Sequence, residues 1–138
     1  MKDLRAKSFV SIMIFIVVST LLLRLAISQV IKISIPQNES SARATLKLIS
    51  IALENYAKDN KGVYPDSLEA ITQTNPPYLD KDYLSHSAMK GYNYSCPRFD
   101  PSGYSCIATP DKCKISGTKV YTIDTGGLLI AEECGKKE

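Results

Sequence analysis

The sequence has no excess of proline or glycine, with seven of each among 138 residues. These numbers are too low for a collagen-like or low-complexity disordered chain, and an apolar fraction of 44% predicts a folded core. Residues 1–36 hold five Lys or Arg and one Asp, whereas residues 37–138 hold 12 Lys or Arg and 13 Asp or Glu. The larger part of the chain therefore lacks the basic excess that neutralises phosphates, and we expect no nucleic-acid partner.

A long apolar run lies near the N-terminus. Residues 8–23 carry no charge, and the 23 residues from Phe9 to Ile31 contain a single charge, Arg24, with Ser28 and Gln29 near the end. A helix needs about 20 apolar residues to cross a bilayer. The basic residues before the run favour a cytoplasmic N-terminus. We therefore predict a basic leader-like segment over residues 1–8 and a retained transmembrane helix over 9–35, with the lipid bilayer as its partner.

A removable secretory signal is the alternative interpretation of the same segment. A basic start, an apolar stretch and small residues at Ala26 and Ser28 fit a signal cut before Gln29. Both interpretations export the C-terminal part. A buried helix of a cytosolic protein is a poor fit, because no other part of this short chain is apolar enough to surround it.

An amphipathic extension of the helix is predicted over residues 36–60. Apolar side chains spaced three and four apart form one stripe, which consists of Leu46, Ile49, Leu53 and Tyr56. We expect Leu48 and Ile51 to widen this helix-packing stripe. Solvated positions are Arg43, Lys47, Glu54 and Lys58, of which the last two form a favourable pair four apart. Pro36 is expected to kink or interrupt the helix.

Residues 61–138 are predicted to form a head of loops and a small antiparallel sheet. Residues 67–71 look like one short helical turn, capped by Asp66 or Ser67. Alternating apolar residues after Gly91 predict three or four short strands. Eight tyrosines fall between Tyr56 and Tyr121, and we expect them to pack the helix against the sheet with their hydroxyls at water. The fold class is therefore α+β, with a long helix packed on this sheet.

All four cysteines lie in the head, and an even number in a small exported domain indicates two disulfides. Four cysteines allow three pairings. A turn at residues 100–103 brings Cys96 and Cys106 opposite each other, and a second hairpin returns Cys134 to the neighbourhood of Cys113. We favour these two pairs. A structural zinc site is a weaker interpretation, since no two cysteines are as close as in C-x-x-C.

The chain offers little for catalysis. Its one histidine, His86, lies in a polar connecting segment, where acid-base or nucleophilic chemistry would need an orienting partner. Phosphate loops and metalloprotease motifs are absent from the sequence. The acidic residues of the head do not form a calcium-loop pattern; they include Asp80, Asp82, Asp100, Asp111 and Asp124. We predict no enzyme, no cofactor, no metal and no small-molecule substrate.

The order of these features resembles the type IV pilin and type II secretion pseudopilin family. The similarity lies in a helix end followed by a tyrosine-proline turn and a short helix (residues 42–71), and in a closing hairpin (residues 116–130). Shorter matches are PPYL at 76–79, GYNY at 91–94 and GYSCIATP at 103–110. The resemblance implies a pilin-like fold with a role in assembly by helix-helix packing.

The N-terminus departs from the family's processing motif. Lys7, Ser8 and Phe9 stand in its basic, glycine and phenylalanine positions, which makes Ser8–Phe9 the candidate leader cleavage. Met13 occupies the position of the family's glutamate. That glutamate is thought to meet the amine of a neighbouring subunit inside the membrane. We infer that any assembly of this chain is held by helix packing alone.

The sequence thus predicts a structural subunit, a minor one, of a type II secretion or type IV pilus-like assembly. Its partners would be other pilin-like subunits or secretion-apparatus proteins. We expect a single-pass protein of the inner membrane, with a cytoplasmic N-terminus and a periplasmic or extracellular head. The alternative is an exported, disulfide-stabilised ligand-binding module, tethered or secreted, that does not polymerise.

Overall fold

The structure is a computed structural model, and it describes residues 2–85 and 88–135, with only the backbone described for residues 2–8. Two helices and four strands follow in the order α1 (Lys2–Asp59), α2 (Leu68–Thr72), β1 (Tyr92–Asp100), β2 (Gly103–Pro110), β3 (Lys119–Asp124) and β4 (Leu128–Glu133). The chain divides into two compact units, Met1–Ser34 and Ile35–Glu138. The α+β class, with a long helix and a small antiparallel sheet, is confirmed.

Helix α1 continues through Pro36, so the predicted interruption at this residue is wrong. Proline removes one N–H donor, but its fixed φ is compatible with a helix. The turn that follows is held by tertiary contacts. The amide of Asn38 donates to the carbonyl of Ser116 at 2.9 Å, and the carboxylate of Glu39 accepts from the backbone N–H of Thr118, also at 2.9 Å. These bonds to the head support the helix where the proline weakens it.

The four strands form one antiparallel meander in the order β1-β2-β3-β4. Tyr94 pairs with Ala108, and Ala108 pairs with Tyr121, which aligns small and aromatic side chains across three strands. The register of β1 shifts between Ser95 and Arg98. Such a shift is a bulge, which bends the strand and interrupts its edge. β1 and β4 are the two edge strands.

The hydrophobic core lies between one face of the sheet and the second half of α1. Its fully buried side chains come from α1, from α2 and its loop, and from alternate positions of the strands. Those on α1 include Ala42, Leu46, Ile49 and Leu53, and those on the strands include Tyr92, Tyr104, Cys106 and Ile123. Period-two burial along β2 and β3 leaves the other sheet face uncovered. The head is thus a two-layer arrangement of helix and sheet.

The short helix α2 begins at the predicted place. Ser67 is the N-cap, and its Oγ accepts from the backbone N–H of Ala70 at 3.4 Å. This result selects Ser67 over Asp66. Leu68 and Ile71 are buried, so the helix covers part of the core with its apolar side.

The disulfides are Cys96–Cys106 and Cys113–Cys134, which is the favoured pairing. The first joins β1 to β2 beside the bulge, with Cα atoms 4.0 Å apart. The second joins the β2–β3 loop to the residue just after β4, with Cα atoms 5.8 Å apart. Each bond closes a hairpin that the sequence pattern had indicated.

Candidate membrane segment and surfaces of the head

The first part of α1 exposes an apolar surface. From Phe9 to Ile33 every large hydrophobic side chain outside Ile31 is exposed by about half or more, for example Phe15 by 74% and Leu23 by 61%. An 18-residue window of this segment has a mean hydropathy of 2.5 and no buried residues. In the described part of the chain, α1 is the one helix long and apolar enough to cross a membrane. A single-pass membrane protein is compatible with this surface, and so is a signal sequence.

Helix α1 runs without interruption across the candidate cleavage position between Ser8 and Phe9. The side chain of Ser8 lies outside the described residues, while that of Phe9 is 66% exposed. Met13 is 52% exposed and lines a shallow apolar hollow with Ile14, Val17 and Val18. The position of the family's glutamate therefore carries a flexible apolar side chain on the surface of the helix.

The predicted helix-packing stripe faces the sheet of the same chain. Leu46, Ile49 and Leu53 have no exposed surface, and Tyr56 is half-buried against the core. These side chains are therefore occupied by the head and are not available to another subunit.

Leu48 and Ile51 do not widen this stripe, contrary to expectation. They are 43% and 58% exposed. Successive residues of a helix are rotated by about 100°, so Ile51 points almost opposite to Leu46 and Ile49. We call Leu48 and Ile51 the outer apolar pair. They leave a helix surface that the head does not cover.

Glu54 is not the solvated partner of Lys58 that the sequence suggested. Its carboxylate accepts from the hydroxyl of Tyr64 at 2.9 Å, from that of Tyr104 at 3.0 Å and from the N–H of Gly126 at 2.7 Å. These donors belong to the loop after α1, to β2 and to the β3–β4 turn. One carboxylate therefore connects three segments of the head to the helix. Sequence spacing could not reveal it, because every partner is at least ten residues away.

Glu39, which lies fifteen residues earlier on α1, also connects the head to the helix. Its carboxylate accepts from both the N–H and the hydroxyl of Thr118, and from the hydroxyl of Tyr121. The guanidinium of Arg43 lies 5.8 Å from the centre of the Tyr121 ring, which is cation–π distance. The start of β3 is thereby fixed to the helix.

Most of the tyrosine hydroxyls are bonded to protein groups, which corrects the expectation that they lie at water. Tyr78 donates to Asp59 at 2.7 Å, and Tyr83 donates to Asp80 at 2.9 Å. Burial, with the hydrogen bond to Asp80 second, raises the pKa of Tyr83 to about 12. Burial also raises the pKa of Tyr92 and of Tyr104, with further contributions from the charges of Glu39 and Glu54 respectively. Tyr83, Tyr92 and Tyr104 are therefore part of the core.

The acidic residues considered for calcium are dispersed. Asp82 accepts from the backbone N–H of Leu84, and Asp100 pairs with Arg98 at 2.9 Å. Hydrogen bonds from Ser102 and Arg98 lower the pKa of Asp100 to about 2. Within residues 2–85 and 88–135 no three His, Cys, Asp or Glu side chains converge on a possible metal position. His86 lies outside the described residues.

No protein-family model, curated protein or solved structure matches this chain. Its membership of the pilin-like family stays a prediction from the residues. What the geometry offers is an exposed apolar helix, a head closed by two disulfides and tied to α1 by two glutamates, and an outer apolar pair on α1.

Proposed function

We propose that the chain is a membrane-anchored, pilin-like structural subunit, a minor one, of a type II secretion or type IV pilus-like assembly. The proposal rests on the difference in burial between the two parts of α1. Residues 9–33 expose an apolar surface all round, while the residues from Ala42 onward bury one stripe under the head. A helix that is apolar on every side and has no protein cover requires lipid or other helices.

The outer apolar pair supports assembly as the role of this helix. Leu48 and Ile51 lie where α1 is not covered by its own sheet, and they continue the apolar character beyond the predicted span. Subunits related by a stagger along α1 would bury these side chains against a neighbouring helix. With Met13 in place of an acidic side chain, this contact depends on packing and not on an intramembrane ion pair.

The first test is the mass of the chain extracted from membranes. A chain that starts at Phe9 supports a processed subunit of this family. A chain that starts at Gln29 overturns the proposal in favour of a secreted soluble domain. An intact Met1 favours the alternative, a tethered ligand-binding module that does not polymerise. A groove on the head, described in the next subsection, supports ligand binding.

The second test places a photo-crosslinking residue on the outer surface of α1. We expect Ile51 replaced by a benzoyl-phenylalanine to yield a ladder of crosslinked multimers in membranes. The matched control is Thr109, which is exposed on the other side of the head. Multimers from both positions, or from neither, would contradict packing through α1.

A further inference from the structure

A groove on the head lies beside α1 and is bounded by two lysines. Two adjoining hollows of about 590 and 270 Å³ share Ser41, Ala44 and Lys90 as lining residues. Lys81, Tyr83 and Tyr94 are among the other residues that line the smaller hollow. Small helix residues form one side, and the segment before β1 forms the other. We call this feature the lysine groove.

The lysine groove has a positive lining without a negative counterpart. No carboxylate lines either hollow. The nearby carboxylate of Asp80 is engaged by the hydroxyl of Tyr83. The ammonium of Lys81 lies 5.0 Å from the centre of the Tyr83 ring, and among the described residues neither Lys81 nor Lys90 forms an ion pair. Two ammonium groups are thus available to an anion from outside.

Lys90 is held in a backbone conformation that lysine rarely adopts. Its φ is 48°, and the following Gly91 has a φ of 75°. Met89 and Tyr92 exchange two backbone hydrogen bonds of 2.8 and 3.1 Å, which closes a two-residue turn around them. The first central position of such a turn favours Asn, Asp or Gly. The turn places the side chain of Lys90 at the edge shared by the two hollows.

Hydroxyl groups add donors to the two ammonium groups. The side chain of Thr45 shares a hydrogen bond with the hydroxyl of Tyr94, and both residues line the smaller hollow. Ser41 lines both hollows. Several donors around a space larger than one carboxylate suit a tetrahedral oxyanion, which can accept three or four hydrogen bonds.

We propose that the lysine groove binds a phosphate group, carried by a lipid headgroup or by a soluble phosphate ester. Lys81 and Lys90 supply the charge, and Ser41 and Tyr94 supply hydroxyl donors. The lipid source alone rests on the proposed membrane anchoring, because anionic headgroups are concentrated at a bilayer surface. The phosphate chemistry is independent of it.

The test measures the acetylation rate of each lysine in the full-length chain by mass spectrometry. In neutral detergent, glycerol phosphate at ten times its Kd should slow the acetylation of Lys90 and Lys81 about tenfold, because only the unbound fraction reacts. Lys114 should react at an unchanged rate. It is exposed, it lies outside the groove and it also has a positive φ, of 67°.

The variant Lys90→Asn separates binding from folding. Asparagine suits the turn, so this variant should fold at least as stably as the parent chain. It should bind glycerol phosphate about tenfold more weakly, because one charge-assisted hydrogen bond is lost. The matched variant Lys114→Asn relieves the same backbone strain and removes the same charge, and its affinity should equal that of the parent chain.

Lipid bilayer discs distinguish the two sources. Slower acetylation of Lys90 in phosphatidylglycerol discs than in phosphatidylcholine discs, with no effect of glycerol phosphate in detergent, assigns a lipid headgroup. An effect of glycerol phosphate in detergent assigns a phosphate site open to soluble esters. Absence of both effects overturns the inference, as does equal protection of Lys114 or full affinity in Lys90→Asn.

The detergent measurement needs neither a bilayer nor an assembly. A chain that began at Gln29 and still protected Lys90 would therefore end the proposed structural role while leaving the phosphate site intact. An anchored chain that crosslinks through Ile51, but whose Lys90 is not protected by glycerol phosphate or by lipid, would support the structural role and overturn the phosphate site.

Discussion

The two halves of α1 differ in what surrounds them, although both are regular helix. Over residues 9–33 apolar side chains occur on every side and lie exposed. From Ala42 to Ala57 they are buried on one side and mostly replaced by polar residues on the other. A helix with one apolar side needs one partner layer, whereas a helix apolar all round needs an apolar medium. The second half of α1 is therefore needed for folding of the head. The first half makes its apolar contacts with the medium around the protein.

The largest effect is expected from the buried half. Replacing Leu53 by alanine should lower the free energy of unfolding of the head by about 2–5 kcal/mol, because it removes a fully buried side chain and leaves a cavity. Leu48→Ala is the control on the same helix. It should change the free energy by less than about 0.5 kcal/mol, since Leu48 is exposed. Equal losses in denaturant unfolding would remove the distinction between the two sides.

The exposed half is tested by placing a charge in it. Val17→Arg should cost about 2.5–3.5 kcal/mol of insertion free energy if residue 17 lies near the centre of a bilayer. The measurable result is a smaller fraction of chain retained in membranes after an alkaline wash. Ile51→Arg adds the same charge to the other half of α1 and should leave retention unchanged. Loss of retention in both variants would contradict a span limited to the first half.

A smaller effect is expected at the carboxylate that joins the helix to the head. Glu54→Gln removes the charge and leaves one acceptor oxygen for three donors, which should destabilise the head by about 1–3 kcal/mol. Glu69→Gln is the control, because Glu69 is exposed and bonds only locally to Gln73. Thermal unfolding followed by circular dichroism compares the two. A shift no larger for Glu54→Gln than for Glu69→Gln would show that this connection is dispensable.

The smallest effect at neutral pH is expected from the buried phenols, whose ionisation changes stability only at alkaline pH. The folded-state pKa of Tyr83, about 12, lies above the ordinary value of 10.0, so its stabilising contribution is complete below pH 10 and declines as the pH rises toward 12. Tyr92 and Tyr104 act in the same direction. The absorbance of tyrosinate should therefore rise late for these groups, and Tyr83→Phe should remove one late step. A titration complete near pH 10 in the folded chain would exclude burial of these phenols.

Short-range patterns predicted much of this fold. In the closing hairpin two apolar runs flank TGG at residues 125–127, and Gly126 and Gly127 adopt positive φ values of 86° and 77°. The same local reasoning placed Ser67 at a helix start and paired all four cysteines. These features depend on turn chemistry and alternation, which neighbouring residues determine.

The errors occurred where distant residues decide the outcome. Leu48 and Ile51 are apolar and lie on the same helix as the buried Leu46 and Ile49. Only the position of the sheet determines which side of the helix is buried. Glu54 looked like half of a local ion pair until partners ten to 72 residues away were known. Lys90 gave no signal at all, because neither its positive φ nor the groove beside it is encoded in spacing.

The disulfides also determine how the head would respond to mechanical force. A load applied at the C-terminal end would pass from Cys134 directly to Cys113, and then along β2 to Cys106 and across to Cys96. The segments between the paired cysteines, with sequence separations of 21 and 10, would carry no tension and could not be drawn out. Both hairpin turns are thus shielded from pulling. Under such a load, extension would be confined to the chain between α1 and Cys96 and to the short segment between Cys106 and Cys113.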